Sequence, residues 1–197
     1  MGEARPLAFP REIRTQRLLL TAASPRDAAE QANAVTWSLA ELGAWMLWAR
    51  EPQTTAQAAA TLATAADKFE SGEEFNWVIR NQATQAFVGR VSLFGIDVTV
   101  PKCEIGYWLA TAHTGNGYMQ EAVAAVLQIA LDLGCRRVEL RCDSLNTRSA
   151  RVAEKLGFTR EAVLSNDRVC AVDRSVIRDT LVFSKTQTHQ VPEEPPG

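Results

Sequence analysis

The chain has 197 residues, 46% of them hydrophobic, and carries 21 Lys and Arg against 23 Asp and Glu, a net charge of −2. That length suits one domain with a substantial core, and the balanced charge, without a dense Lys/Arg run, argues against nucleic-acid binding through a broad basic field. No apolar run reaches about 18 residues, so no membrane span is expected, and residues 1–14 lack the apolar segment of a secretory signal, which makes the cytoplasm the expected location.

Residues 1–12 read as a flexible arm, 13–185 as a single domain, and the polar tail 186–197, with Pro192, Pro195 and Pro196, as disordered. Residues 17–21 (RLLLT) form a short strand. Ser24 as a cap and Pro25 at a first helical position open a helix to about residue 35. A second helical piece holds Trp37, Leu39, Leu42, Trp45, Met46 and Trp48, and residues 54–70 form an Ala-rich helix stopped at Gly72. Three runs rich in aromatic and β-branched residues, 75–80, 86–96 and 102–109, predict an antiparallel meander.

The period then changes. Met119, Ala122, Val123, Val126, Ile129, Ala130 and Leu133 recur at helical spacing over 117–133, and Gly134 ends that helix. Residues 137–142 alternate as a strand, 146–156 form a helix capped by Asn146, and 158–164 and 176–183 close the sheet. The order predicts a mixed α/β sheet in which strands 102–109 and 137–142 run parallel through a crossover helix.

Cys103, Cys135, Cys142 and Cys170 form no CxxC pair, and the histidines are His113 and His189, so no metal site is expected and the thiols read as reduced and mostly buried. The segment Gly115, Asn116, Gly117, Tyr118, Met119 joins a strand to an amphipathic helix. It is either a tight turn or an anion site. The first amides of a helix lack internal acceptors, and the glycines let a phosphate approach the backbone. Gln120 stands where a dinucleotide-binding GxGxxG would have its third glycine. A second segment, Asn146-Thr147-Arg148-Ser149, follows a strand directly and runs on to Lys155, Leu156, Gly157 and Phe158.

Taken with the Thr15-Gln16-Arg17-Leu18-Leu19-Leu20 and Glu104-Ile105-Gly106-Tyr107-Trp108-Leu109 runs, these segments resemble the GNAT superfamily of N-acetyltransferases. They are most similar to its ribosomal-protein N-terminal (RimJ/RimL-like) branch, over roughly residues 14–185. The resemblance implies a mostly antiparallel sheet with helices on both faces and a central parallel pair that splays apart. Pantetheine would lie in that gap like an extra strand. It implies acetyl-CoA as cosubstrate, its pyrophosphate held by the amides of Gly115, Asn116, Gly117, Tyr118 and Met119, with Thr114 beside them. Asn146 and Ser149 would flank pantetheine and the thioester, and Trp108 or Leu109 would offer an amide to it. The chain departs from the family at Ala112, Thr114 and Asn116, where polar or basic residues are common, which leaves His113, Arg148, Arg151 or Lys155 as cations for phosphate. No tyrosine follows Tyr118 to serve as the usual general acid.

The implied reaction is direct attack of a primary amine, a protein N-terminus or a small molecule, on the thioester within a ternary complex. The competing reading is an acyl-CoA-binding regulatory module without turnover. The partners expected are acetyl-CoA and the amine acceptor, with no nucleic acid, no membrane and a homodimer as the oligomeric option. Glu104, in an otherwise apolar strand, reads as the base that takes the amine proton, or as a strand carboxylate paired with an arginine. Ser149 reads as donor to the departing sulfur, or as a helix-start cap. Trp37, Trp45, Trp48 and Trp77 read as core or as acceptor walls.

Overall fold

The structure, a computed structural model, describes residues 8–187. The expectations for residues 1–7, for most of the tail and for His189 lie outside the described residues. Eight strands form one sheet in the order β1-β2-β3-β4-β5-β6-β8-β7. They are β1 (Glu12–Arg14), β2 (Leu18–Ala22), β3 (Phe75–Asn81), β4 (Phe87–Asp97), β5 (Lys102–Leu109), β6 (Arg137–Asp143), β7 (Thr159–Val169) and β8 (Ile177–Thr186). Every neighbouring pair is antiparallel except β5 and β6, which run parallel. The helices are α1 (Ala28–Trp37), α2 (Leu39–Gly43), α3 (Thr55–Ser71), α4 (Tyr118–Asp132) and α5 (Thr147–Lys155). No helix among the described residues is long and apolar enough to cross a membrane.

Directly opposed residues of antiparallel strands share a face. Trp77, Val91 and Tyr107 are opposed across β3, β4 and β5, as are Phe75, Leu93 and Ile105. These sit in the cluster that takes in Ala122, Val123 and Val126 of α4 and Ala150 and Ala153 of α5. The other face carries Val78, which packs with Ala58, Leu62 and Ala65 of α3 and Ala28 and Ala32 of α1. Helices therefore cover both faces. Small alanines on α1 and α3 let those helices lie close to the sheet. Trp77 is fully buried, and its indole donates to the Pro10 carbonyl at 2.9 Å, so no polar atom is stranded.

Local signals explain the ends. Thr54 and Gln57 form a capping box at the start of α3, and Gly72, at φ 74°, ends it. Ser24 caps a 3-10 turn over Pro25–Asp27 that leads into α1. Three readings differ in extent. The arm read as loose to residue 12 places Phe9 in the core, its ring 4.4 Å from that of Phe75, and β1 begins at Glu12. The second helical piece shortens to α2, because Gly43 lets the chain fold back so closely that a Cβ there would lie 2.8 Å from the Ala49 carbonyl oxygen. Residues 165–169 (SNDRV), too polar to read as strand, extend β7, because β8 supplies partners up to the Val169–Ile177 pair across a register shift near Asn166, at φ 54°.

Gly89 matters most to the packing of the central strands. It pairs with Leu109, and a Cβ there would drive into the Trp108 carbonyl oxygen and lie 3.0 Å from the Leu109 Cα. Both obstacles are backbone, so neither can swing away. Gly89→Ala is expected to destabilise the fold by about 2–3 kcal/mol, read as a lowered urea midpoint at unchanged slope.

Candidate active site

The parallel pair holds together over Lys102–Arg137, Cys103–Val138 and Glu104–Glu139 and then stops. Beyond it β5 keeps pairing with β4 as far as Leu109, and β6 keeps pairing with β8 as far as Asp143. Each strand is thus held from outside while their facing edges separate. Ile105, Tyr107 and Trp108 on one side and Leu140, Cys142 and Asp143 on the other line a cavity of about 510 Å³. Hydrogen-bonding direction alternates along a strand. The Ala110 amide donates to the Val88 carbonyl on the β4 side, so that of Trp108 also turns to β4 and that of Leu109 turns to the gap. Of the two amides anticipated for the acyl group, Leu109 has the suitable direction.

The gap opens toward the segment before α4. Thr111–His113 form a 3-10 turn, and the His113 and Thr114 amides are taken by the carbonyls of Ala110 and Thr111. The amides of Gly115, Asn116, Gly117, Tyr118, Met119 and Gln120 donate to no acceptor among the described residues, and Glu121 is the first to bond back, to the Gly117 carbonyl. Gly115 and Gly117, at φ 81° and 75°, turn the chain through the left-handed region, and a Cβ on Gly115 would meet nothing within 4 Å. Consecutive free amides at a helix start make a concave anion site, to which the helix dipole adds. The Met119 side chain is in the core, so this residue offers its backbone only.

Arg17 is the cation that the sequence reading missed. Its Nε donates to Glu121 Oε2 at 2.7 Å, its Nη1 donates to the Asn116 carbonyl at 3.0 Å, and its guanidinium lies 4.8 Å from the Tyr118 ring centroid. Glu121 also accepts from the Thr15 hydroxyl at 2.5 Å and from the Arg17 amide at 2.8 Å. This strap ties the entry of β2 to the loop. Arg148, Arg151 and Lys155 are exposed on α5, and the half-buried His113 stands with its ring 6.3 Å from that of Tyr118.

Glu104 is the last residue of β5 before the splay and faces the cavity. Burial pushes its carboxyl above the usual carboxylate range and Glu139 adds to the effect, while Arg141, with Nε 3.7 Å from Glu104 Oε2, pulls the other way. Arg141 bonds more closely to Glu139, at 2.9 Å. Glu104 therefore stands beside an arginine, in a cleft that raises its affinity for a proton.

On the opposite face of β5, the Tyr107 hydroxyl lies 2.9 Å from Ser149 Oγ and donates to the Ser149 carbonyl at 3.3 Å. Burial raises the Tyr107 phenol well above its ordinary value, so it stays neutral. Asn146 caps α5 by accepting from the Ser149 amide at 3.1 Å, so the Ser149 hydroxyl is not used for the cap and bonds Tyr107 instead. Tyr107 is a site residue the sequence reading lacks, because the resemblance places a general-acid tyrosine downstream of α5. Its signal was alternation, three positions after Glu104 and so on the other face of the strand. Burial lifts the Cys142 thiol to about 11, so it is no thiolate near neutral pH. Trp45 and Trp48 line the cavity, Trp77 is core, and Trp37 is 80% exposed and belongs to neither.

Residues 17–159 match the family model described as “Acetyltransferase (GNAT) domain”. “Probable N-acetyltransferase YjcK” of Bacillus subtilis is 36% identical over 99 residues, 49% of this chain and 55% of that protein. The chain thus spans little more than half the length of that relative. “Putative ribosomal N-acetyltransferase YdaF”, also of Bacillus subtilis, is 27% identical over 70% of this chain and 75% of its own. Among solved structures, the ribosomal L7/L12 α-N-protein acetyltransferase RimL in complex with coenzyme A superposes with a TM-score of 0.82. It shares 21% identity, over 89% of this chain and 97% of that one.

Proposed function

We infer, for a chain that belongs to the acetyltransferase (GNAT) family, that it transfers the acetyl group of acetyl-CoA to a primary amine by direct attack. The observation that carries this reading is the run of unpaired amides from Gly115 to Gln120 at the mouth of the splayed strands. That run suits a diphosphate, and the free edges of β5 and β6 suit an extended pantetheine arm, which carries amides of its own.

The residues then divide the work. The Leu109 amide faces the gap, where it stabilises the oxyanion formed when the amine adds to the thioester carbonyl. Glu104, directly or through one water, accepts the proton that the amine loses. The Ser149 hydroxyl, held by Tyr107, donates to the sulfur as the carbon–sulfur bond breaks. The names of the relatives favour a protein N-terminal α-amine as acceptor. An α-amine, with a pKa near 8, is also easier to deprotonate than a lysine.

Thiol release from acetyl-CoA over a panel of amines tests the reading. A thermal shift with acetyl-CoA and no turnover on any amine would move the protein to the binding-module reading, because a ligand that binds only the native state must stabilise it. Ser149→Ala is expected to lower kcat by about tenfold to a hundredfold with little change in the acetyl-CoA KM, and Tyr107→Phe to lower it less. A Ser149→Ala enzyme of wild-type kcat would remove the hydroxyl from the chemistry.

A further inference from the structure

We propose that the acceptor amine also carries an oxyanion, a carboxylate or a phosphate, and that Arg90 on β4 pairs with it. This rests on the acyl-transfer reading and narrows its substrate class.

Arg90 is 9% exposed and lines the same cavity as Glu104. Register places it directly opposite Trp108, and Phe94 directly opposite Glu104, all on the sheet face beneath α1 and α3. Its Nη1 donates to Gln31 Oε1 at 3.2 Å and its Nη2 to Asn76 Oδ1 at 2.7 Å, both neutral amide oxygens. Its Nε is buried without any partner. No carboxylate among the described residues lies within ion-pair distance of it. The acids that influence it do so from a distance and are already engaged. Glu74 bonds Lys68 at 3.2 Å and the Asn76 amide at 2.7 Å, and Asp27 bonds Arg80 at 2.7 Å.

A buried charge without a counterion costs several kcal/mol, and an apolar side chain at this site would be the more stable choice. Gln31 and Asn76 hold the guanidinium in place without neutralising it. Its positive charge therefore remains available to a ligand in the cavity. The same cavity is lined by the Glu104 carboxylate, whose backbone is four residues along from Arg90 in strand register, roughly 13 Å before the two side chains extend into the space between. A cavity lined by a carboxylate and an unpaired guanidinium matches a zwitterion: an ammonium that must lose its proton, and an anion that holds it in register. The volume of about 510 Å³ lies within the range of small-molecule sites.

The test compares acceptors with and without the anionic group: alanylalanine with its carboxamide, and phosphoethanolamine with ethanolamine. CoA release is expected to give a kcat/KM at least about tenfold higher for the anionic member of one or both pairs, a preference worth about 1.4 kcal/mol. The pair that shows it tells carboxylate from phosphate. Arg90→Met is expected to bring the ratio to about one, chiefly through KM, and Arg90→Lys to keep most of it. A wild-type enzyme indifferent to the charge, or an Arg90→Met loss equal for both members, overturns the proposal. If Arg90→Met fails to fold, Arg90→Gln is read in the same way. If no acceptor releases CoA, the transfer reading fails by itself, and tryptophan fluorescence titrations with the same pairs judge Arg90. Binding of the anionic member alone, lost in the variant, upholds the pairing, and equal binding of both members overturns it.

Discussion

Gly117→Asp is expected to raise the Kd for acetyl-CoA by about a hundredfold or more in calorimetric titration. Two effects act together. Gly117 sits at φ 75°, where a side chain costs of order 1 kcal/mol, though Asp and Asn tolerate it best. The new carboxylate would also lie beside the unpaired amides, repelling a diphosphate by about 1–4 kcal/mol at the separations and screening of a protein surface. A Cβ at this position is 3.6 Å from Arg17 Nη2, so the carboxylate would in addition draw this cation away from its contacts with the loop. Each 1.4 kcal/mol is a factor of ten in affinity. Gly117→Asn carries the same backbone strain without the charge and is expected to lose no more than about tenfold. Equal affinity in the Asp variant and the parent would place the diphosphate elsewhere.

Glu104→Gln is expected to lower kcat by about a hundredfold to ten-thousandfold while leaving acetyl-CoA affinity unchanged. The base must be ionised to act. Because burial lifts its pKa above the usual carboxylate value, the parent enzyme should lose activity as pH falls through a limb displaced upward from the ordinary 4.5. That limb should vanish in the Gln variant, whereas the limb set by the acceptor amine, near pH 8 for an α-amine, should remain in both. Stability moves the other way. A carboxyl whose folded pKa is raised loses stability as pH rises from its unfolded value through the folded one, so at pH 7 the Gln variant should melt no lower than the parent. A parent-like rate and pH profile in Glu104→Gln would leave the proton to solvent.

The sequence revealed the strand-to-helix skeleton because its signals are local. Aromatic and β-branched runs marked β3, β4 and β5, alternation marked β6, helical spacing marked α4, and Asn146 and Gly72 marked a start and a stop. The parallel pairing of β5 and β6 followed from the helix between them. What stayed hidden depended on contacts between distant parts of the chain. Arg17 reaches the loop across 99 residues, and Arg90 owes its meaning to Gln31 and Asn76, on other elements. Tyr107 was visible in sequence, but its role depends on which face of β5 meets α5. The trimmed helical piece near Trp45 reflects a similar limit: apolar residues at helical spacing also suit a turn that packs tryptophans along a cavity wall.

Glu121 holds Thr15 and both the backbone and side chain of Arg17, while Arg17 holds Asn116. The loop's curvature is therefore settled when the edge of the sheet zips up during folding. The entropy of ordering it is lost then, so an anion that used these amides would meet a preformed receptor. A diphosphate held on these amides would need no closing flap, because the loop is already tied to the sheet.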